Sequence, residues 1–360
     1  MGCHGLLIAT FVCMQLFSCL NCGQVLYFEN TRCGHCGNVV GLMESGNDLM
    51  ALSAGGGEPF KAVSLAQYYY CANHAFDVCN WLVPEGNNAF CRACELNRII
   101  PDLQQPMYRE YWMRLEVAKH RLVYSLLRLR LPLENKLRQP EKGLSFDFVA
   151  DEKDKKVFTG HDNGIITINI AEADDIQREM IRQHMHEPYR TLLGHFRHEV
   201  GHYYWDVLIR DGGRLAEFRQ VFGDERVDYG QALEQHYTEG APADWTEYYI
   251  SAYASSHPWE DWAETWAHYL HIMDTFETAW SYDMRVQPRL APTGGLSGTG
   301  TFDPYAEPQF DRIIQNWLPL TYAMNSFNRS MGVDDLYPFV IPPEVMGKLN
   351  FIHQILQTIG

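Results

Sequence analysis

Eight of the ten cysteines fall between residues 19 and 94, and their spacing restricts what the first quarter of the chain can fold into. In "CLNCGQVLYFENTRCGHCG", Cys19-x2-Cys22 and Cys33-x2-Cys36 form two knuckles ten residues apart. A knuckle presents two thiolates from one tight turn, so a pair of knuckles suits a tetrahedral four-sulfur zinc site. Gly23 and Gly37 follow the knuckles, where a tight turn favours glycine. A second group, Cys71, Cys79 and the "CRAC" pair Cys91 and Cys94, is looser but ends in the same motif. Two four-sulfur sites use all eight thiols. Local grouping is the simplest arrangement, and crossed groupings stay open. Disulfides are the alternative, but paired knuckles favour metal. Such sites are closed and structural.

Cys3 and Cys13 precede this module, in "MGCHGLLIATFVCMQLF". That segment lacks a basic start and a small-residue cleavage site, so it makes a poor secretory signal. Residues 1–13 are therefore read as a leader or misassigned start, with Met14 as the natural beginning. A reduced zinc ribbon without a signal implies a cytoplasmic protein. No apolar run reaches eighteen residues, so no membrane span is expected. A net charge of −16 disfavours nucleic acid or anionic lipid as partner of the whole surface.

The exception is residues 109–142, which hold nine Lys and Arg. Leu115, Ala118, Leu122, Leu126 and Leu129 recur there at spacings of three and four. The spacing predicts an amphipathic helix with a solvated basic face, and nucleic-acid docking is a minor alternative. "GLSFDFVADEK" and "GHDNGIITINIAEAD" read as strands. Residues 175–211 carry a helical pattern, with Pro188 suited to a helix start. Further helices are expected near 213–222, 228–237, 258–273, 306–328 and 342–357, with a Pro/Gly/Thr loop at 286–304.

The chemistry concentrates in "LLGHFRHEVGHYYWD". On a helix, His198 and His202 lie one turn apart on one face and can reach one ion. Glu199 is turned about 100° from His198, poorly placed as a ligand but suited to take a proton from metal-bound water. An ordinary amphipathic helix with solvated polar groups is the alternative. Against it, three ionisable groups interrupting an apolar stripe are costly to bury without a metal.

A third ligand is then needed, and "HPWEDWAETWAHYLH" supplies Glu260 and Glu264 on one helix face. Either carboxylate can bind while the other orients a ligand histidine. Ala263 and Ala267 allow close helix packing, and Trp262 and Trp266 are expected to wall the site. Asp261 and His268 read as capping or satisfied polar groups. Tyr253 and His257 are candidate donors to a tetrahedral oxyanion.

These motifs, with "LYFENTRCGHCG", "CNWLVP" and "CRACELNRIIPDL", resemble those of a bacterial zinc-binding metallopeptidase family with an N-terminal zinc ribbon. The likeness runs over nearly all of residues 14–357. It implies an α+β chain: a Cys-rich ribbon (14–103), a basic helical linker (104–143), a mainly helical zincin-like domain with a small sheet (144–285), and a loop with C-terminal helices packed on it (286–360). An acid four residues before a second acid, downstream of HExxH, is similar to the gluzincin order. That order makes Glu260 the ligand and Glu264 its supporter. The resemblance implies one catalytic zinc, up to two structural zincs at Cys19, Cys22, Cys33, Cys36 and Cys71, Cys79, Cys91, Cys94, and a protein or peptide substrate. By zincin analogy "IITINIA" would be the edge strand that pairs with substrate.

Overall fold

The computed structural model describes residues 15–359, apart from 47, 57, 62–65, 87–88, 153, 176–177, 179–190 and 290–294. The leader with Cys3 and Cys13, the proposed start at Met14, and Pro188 lie outside the described residues.

The first quarter is β-structure built around turns. The strands β1 (Phe17–Ser18) and β2 (Val25–Leu26) pair antiparallel across the first knuckle. Gly23 and Gly37 each take φ of +74°, the left-handed turn expected after a CxxC. A hairpin of β3 (Val39–Ser45) and β4 (Asp48–Ala54) follows. With β5 (Phe60–Lys61), β6 (Gln67–Tyr70) and β7 (Trp81–Pro84) it forms a sheet of order β4-β3-β7-β6-β5.

A second sheet joins this module to the rest. Its order is β10-β11-β9-β8, from β8 (Asn97–Ile99), β9 (Ser145–Val149), β10 (Gly160–Asp162) and β11 (Ile165–Asn169). The strand β8 leaves the cysteine module and pairs parallel with β9. The zincin analogy made "IITINIA" an edge, but β11 lies between β10 and β9, and the short β10 is the outer strand. The turn at Asn163 and Gly164 (φ +46° and +76°) folds β10 back over β11 and displaces it from the edge.

The helix α1 (Pro106–Arg128) buries Leu115, Ala118, Leu122 and Leu126, as its spacing required. The solvated basic face holds at its start, where exposed Arg109 reaches Asp77, but not further along: Arg121 reaches Glu29, and Arg128 reaches Glu277 and Asp303. Lys119 is fully buried against Glu116. The helix packs on both the ribbon and the C-terminal part, as an internal strut. The remaining helices are α2 (Leu192–Trp205), α3 (Leu215–Phe222), α4 (Tyr229–Glu239), α5 (Trp245–Tyr248), α6 (Pro258–Ser281), α7 (Phe310–Ser330) and α8 (Pro343–Gln357). Short strands β12 (Arg285–Val286) and β13 (Gly298–Thr299) pair inside the expected loop. One apolar core runs from Phe17 to Leu356. No described helix is long and apolar enough to cross a membrane.

Candidate metal centres

The helix α2 begins where the Thr191 hydroxyl accepts from Gly194 N–H at 3.0 Å. Its close partner is α6. A Cβ added to Gly201 would stand 3.1 Å from Ala263 Cα, so the pair Gly201/Ala263 sets how near the two helices lie. Trp262 Nε1 donates to Gly201 O at 2.9 Å and locks the crossing. Trp262 and Trp266 are wholly buried beside Tyr204, Phe218 and Phe222, and so serve the core. The aromatic wall expected of them is supplied by Trp259, whose ring lies 3.9 Å from that of His202.

The crossing brings three donors together. Nε2 of His198 is 3.0 Å from Glu260 Oε2, and Nε2 of His202 is 3.5 Å from Glu260 Oε1. His198, His202 and Glu260 offer ligand atoms within 4.8 Å of one another. Glu260 lies in the first turn of α6, after a Pro at N1, where the helix dipole favours a carboxylate. Burial would raise its pKa, but the imidazoles of His202 and His198 outweigh burial and hold it well below the usual range. Burial opposes protonation of His198, and Glu260 and Glu264 overcome it. His202 Nδ1 is buried without a hydrogen bond. A carboxylate and two imidazoles converging in this way form a donor set that fits a divalent cation.

Glu264 has a different position. Its Oε1 is 2.7 Å from His198 Nδ1, the nitrogen away from the triad, and its Oε2 accepts from the Ser251 hydroxyl at 2.6 Å. Glu199 is half-buried beside the triad. Burial raises its carboxyl above the usual range, against the pull of His198 and His202. The Tyr253 ring lies 6.0 Å from that of His198. His257 is occupied as the N-cap of α6: Nδ1 accepts from Trp259 N–H at 3.0 Å, and Nε2 faces Val227 O at 3.1 Å. It is not free to serve an oxyanion. Asp261 binds Lys348, and His268 lies 2.7 Å from the Tyr337 hydroxyl, both satisfied polar groups.

The cysteines group locally. Cys19, Cys22, Cys33 and Cys36 form one cluster, and Cys71, Cys79, Cys91 and Cys94 the other. None of the eight is joined in a disulfide, and their four-by-four clustering suits metal. Sulfur pairs such as Cys19/Cys36, Cys22/Cys33 and Cys79/Cys91 lie 3.7 Å apart, the edge length a ZnS4 tetrahedron requires.

Several neighbours escaped the sequence reading. His120 of α1 places Nε2 3.7 Å from Cys94 Sγ and 3.9 Å from Cys91 Sγ. The only sequence signal was a histidine on a buried helix stripe. Tyr229 donates to Glu260 Oε1 at 2.6 Å, from 31 positions away in the chain and with nothing to mark it among twenty tyrosines. His161, on the outer strand β10, lies 6.3 Å from the His202 ring.

A Cys-rich zinc ribbon ahead of a mostly helical domain, in which an HExxH helix meets a glutamate-bearing helix, defines a zinc-binding protein of metallopeptidase type. Residues 108–355 match the family model described as "Putative zinc-binding metallo-peptidase", and the chain belongs to that family. Residues 16–105 match a zinc-ribbon domain. The chain is 42% identical over 351 residues to an uncharacterized protein of Mycobacterium bovis, covering 96% of each chain. Uncharacterized proteins of two Mycobacterium tuberculosis strains match with the same identity and coverage. No solved structure matches the chain.

Proposed function

We propose that the protein is a zinc metallopeptidase whose reaction centre is the His198/His202/Glu260 triad. One observation carries this reading: two imidazoles and a buried carboxylate bring their ligand atoms within 4.8 Å of one another, beside a half-buried glutamate. His198, His202 and Glu260 would hold the ion. Glu264 fixes the His198 ring through Nδ1, as carboxylates commonly do behind ligand histidines. A zinc ion so held supplies a Lewis acid and lowers the pKa of water toward neutrality. Glu199 receives the proton of the attacking water and later delivers it to the leaving amine. Tyr253 donates its phenol to the developing oxyanion. The outer strand β10 offers backbone groups to an extended peptide. The eight cysteines hold two structural zinc ions, and the ribbon recruits or holds the protein substrate.

The test is proteomic cleavage profiling of purified wild type and Glu199→Gln. Wild type should cut peptide bonds, while Glu199→Gln keeps its zinc and loses roughly 10²–10⁴-fold in rate, the range for general acid–base catalysis. Equal cleavage by both proteins would refute the mechanism. No cleavage by zinc-loaded wild type would favour a binding protein on a zincin scaffold.

A further inference from the structure

We infer that Tyr229 is a positioning residue that keeps Glu260 a one-oxygen donor and couples the helix α4 to the metal centre. The inference rests on the zinc reading of the triad.

Glu260 is almost fully buried, and its two oxygens have different surroundings. Oε1 accepts from the Tyr229 hydroxyl at 2.6 Å. Oε2 is paired with His198 Nε2 at 3.0 Å. A phenol donor on Oε1 competes with metal for that oxygen, whereas Oε2 meets His198 Nε2, itself a donor to the ion on the zinc reading. The carboxylate is thus divided before any ion arrives, which leaves a coordination position open beside Glu199. Tyr229 is itself held by rings. It packs edge-on against His257 at 5.3 Å and Trp259 at 5.6 Å, and Trp259 in turn covers His202.

Tyr229 is also the first residue of α4, after its N-cap Asp228. No residue of this eleven-residue helix is buried. A helix this short, with no buried face, has little stability of its own. Tyr229 ties one end of it to Glu260, and the His236 ring meets that of Tyr253 at 6.0 Å further along. Tyr253 in turn lies beside His198. Both contacts lead toward the triad.

Linkage then has a consequence. If the Tyr229–Glu260 bond strengthens metal binding by some factor, bound metal strengthens the closed position of α4 by the same factor. Zinc occupancy should be readable as protection of residues 228–240.

The experiment is hydrogen exchange followed by mass spectrometry, on the full chain as purified and after mild chelation that spares the cysteine sites. Wild type should show slower exchange over residues 228–240 when the triad is loaded, with no change in the ribbon. Tyr229→Phe should lose this zinc-dependent protection and bind triad zinc roughly 10–100-fold more weakly in chelator competition, the usual cost of a group behind a metal ligand. Tyr248→Phe, an exposed tyrosine on α5, should match wild type in both measurements. A packing role alone would lower thermal stability without moving zinc affinity. Unchanged affinity in Tyr229→Phe would overturn the inference and leave the zinc site standing. Wild type that takes no zinc at the triad would overturn the functional reading together with this one.

Discussion

The Cys71/Cys79/Cys91/Cys94 tetrad and the His198/His202/Glu260 triad both gather metal-ligating side chains, yet their surroundings are opposite. All four cysteines are buried, and α1 closes the remaining side with His120, whose Nδ1 is tied to Glu116 O at 2.7 Å. Glu116 is itself bonded by Asn97, Trp112 and Lys119, so the tetrad is joined to a buried polar network spanning ribbon and helix. The triad supplies three donors rather than four. Four thiolates are the donor set of a closed site, whereas on the proposed zinc reading three protein donors would leave one position to a non-protein ligand. The first cysteine cluster lies between these extremes, with Cys22 exposed and Cys36 half-buried.

The largest contrast should appear on removing ligands. Cys94→Ser should lose one zinc and destabilise the protein by several kcal/mol, because metal binding and folding are one process at a closed site. Cys22→Ser, at the exposed cluster, should cost clearly less. Calorimetry with metal counting compares them, and equal unfolding temperatures would break the distinction between the two ribbon sites. His198→Ala should also lose one zinc, yet unfold near the wild-type temperature, because the α2–α6 crossing is held by Gly201, Ala263 and buried tryptophans rather than by the ion.

Within the triad the effects should be graded. Glu260→Gln should empty the site after mild chelation. Glu264→Gln should retain zinc with a 10–100-fold loss in affinity or activity, since it touches only the outer nitrogen of His198. Loss confined to Glu264→Gln would reverse the assignment.

The smallest expected effect is a pH slope. Burial pushes His268, one turn beyond Glu264, down to about 4. An unfolded histidine titrates near 6.5, so the stability tied to neutral His268 is fully present above that pH. It falls by about 1 kcal/mol per unit as pH drops from 6.5 toward 4. His268→Gln should flatten this slope in urea unfolding series measured across that window. An unchanged slope would show that other groups carry it.

What the sequence revealed differs between these regions for physical reasons. Cysteine sites are written locally: a CxxC turn and its glycine specify geometry within a few residues, so both clusters could be read directly. The HExxH pair is equally local, since one helical turn aligns His198 and His202. The choice between Glu260 and Glu264 was not, because both acids share a helix face. Only the depth at which α6 crosses α2 separates them, and Gly201 sets that depth. Tyr229 and His120 were illegible because their roles depend on chain segments dozens of residues away. The basic stripe of α1 misled in the opposite direction. Charge alone predicts solvent, but Arg128 and Lys119 find carboxylates inside the fold. Trp262 and Trp266 were assigned to the site by proximity in sequence, whereas α6 turns them toward Phe218 and Tyr204.

The central claim is that the triad is an open zinc site distinct from the two closed cysteine sites. Diffraction at the zinc absorption edge from crystals of the intact protein tests it most directly. The account predicts three anomalous peaks: one inside each cysteine tetrad, and one bound by His198 Nε2, His202 Nε2 and a single Glu260 oxygen, with a non-protein ligand in the remaining position. Two peaks confined to the cysteines, with His198 and His202 contacting only Glu260, would contradict it.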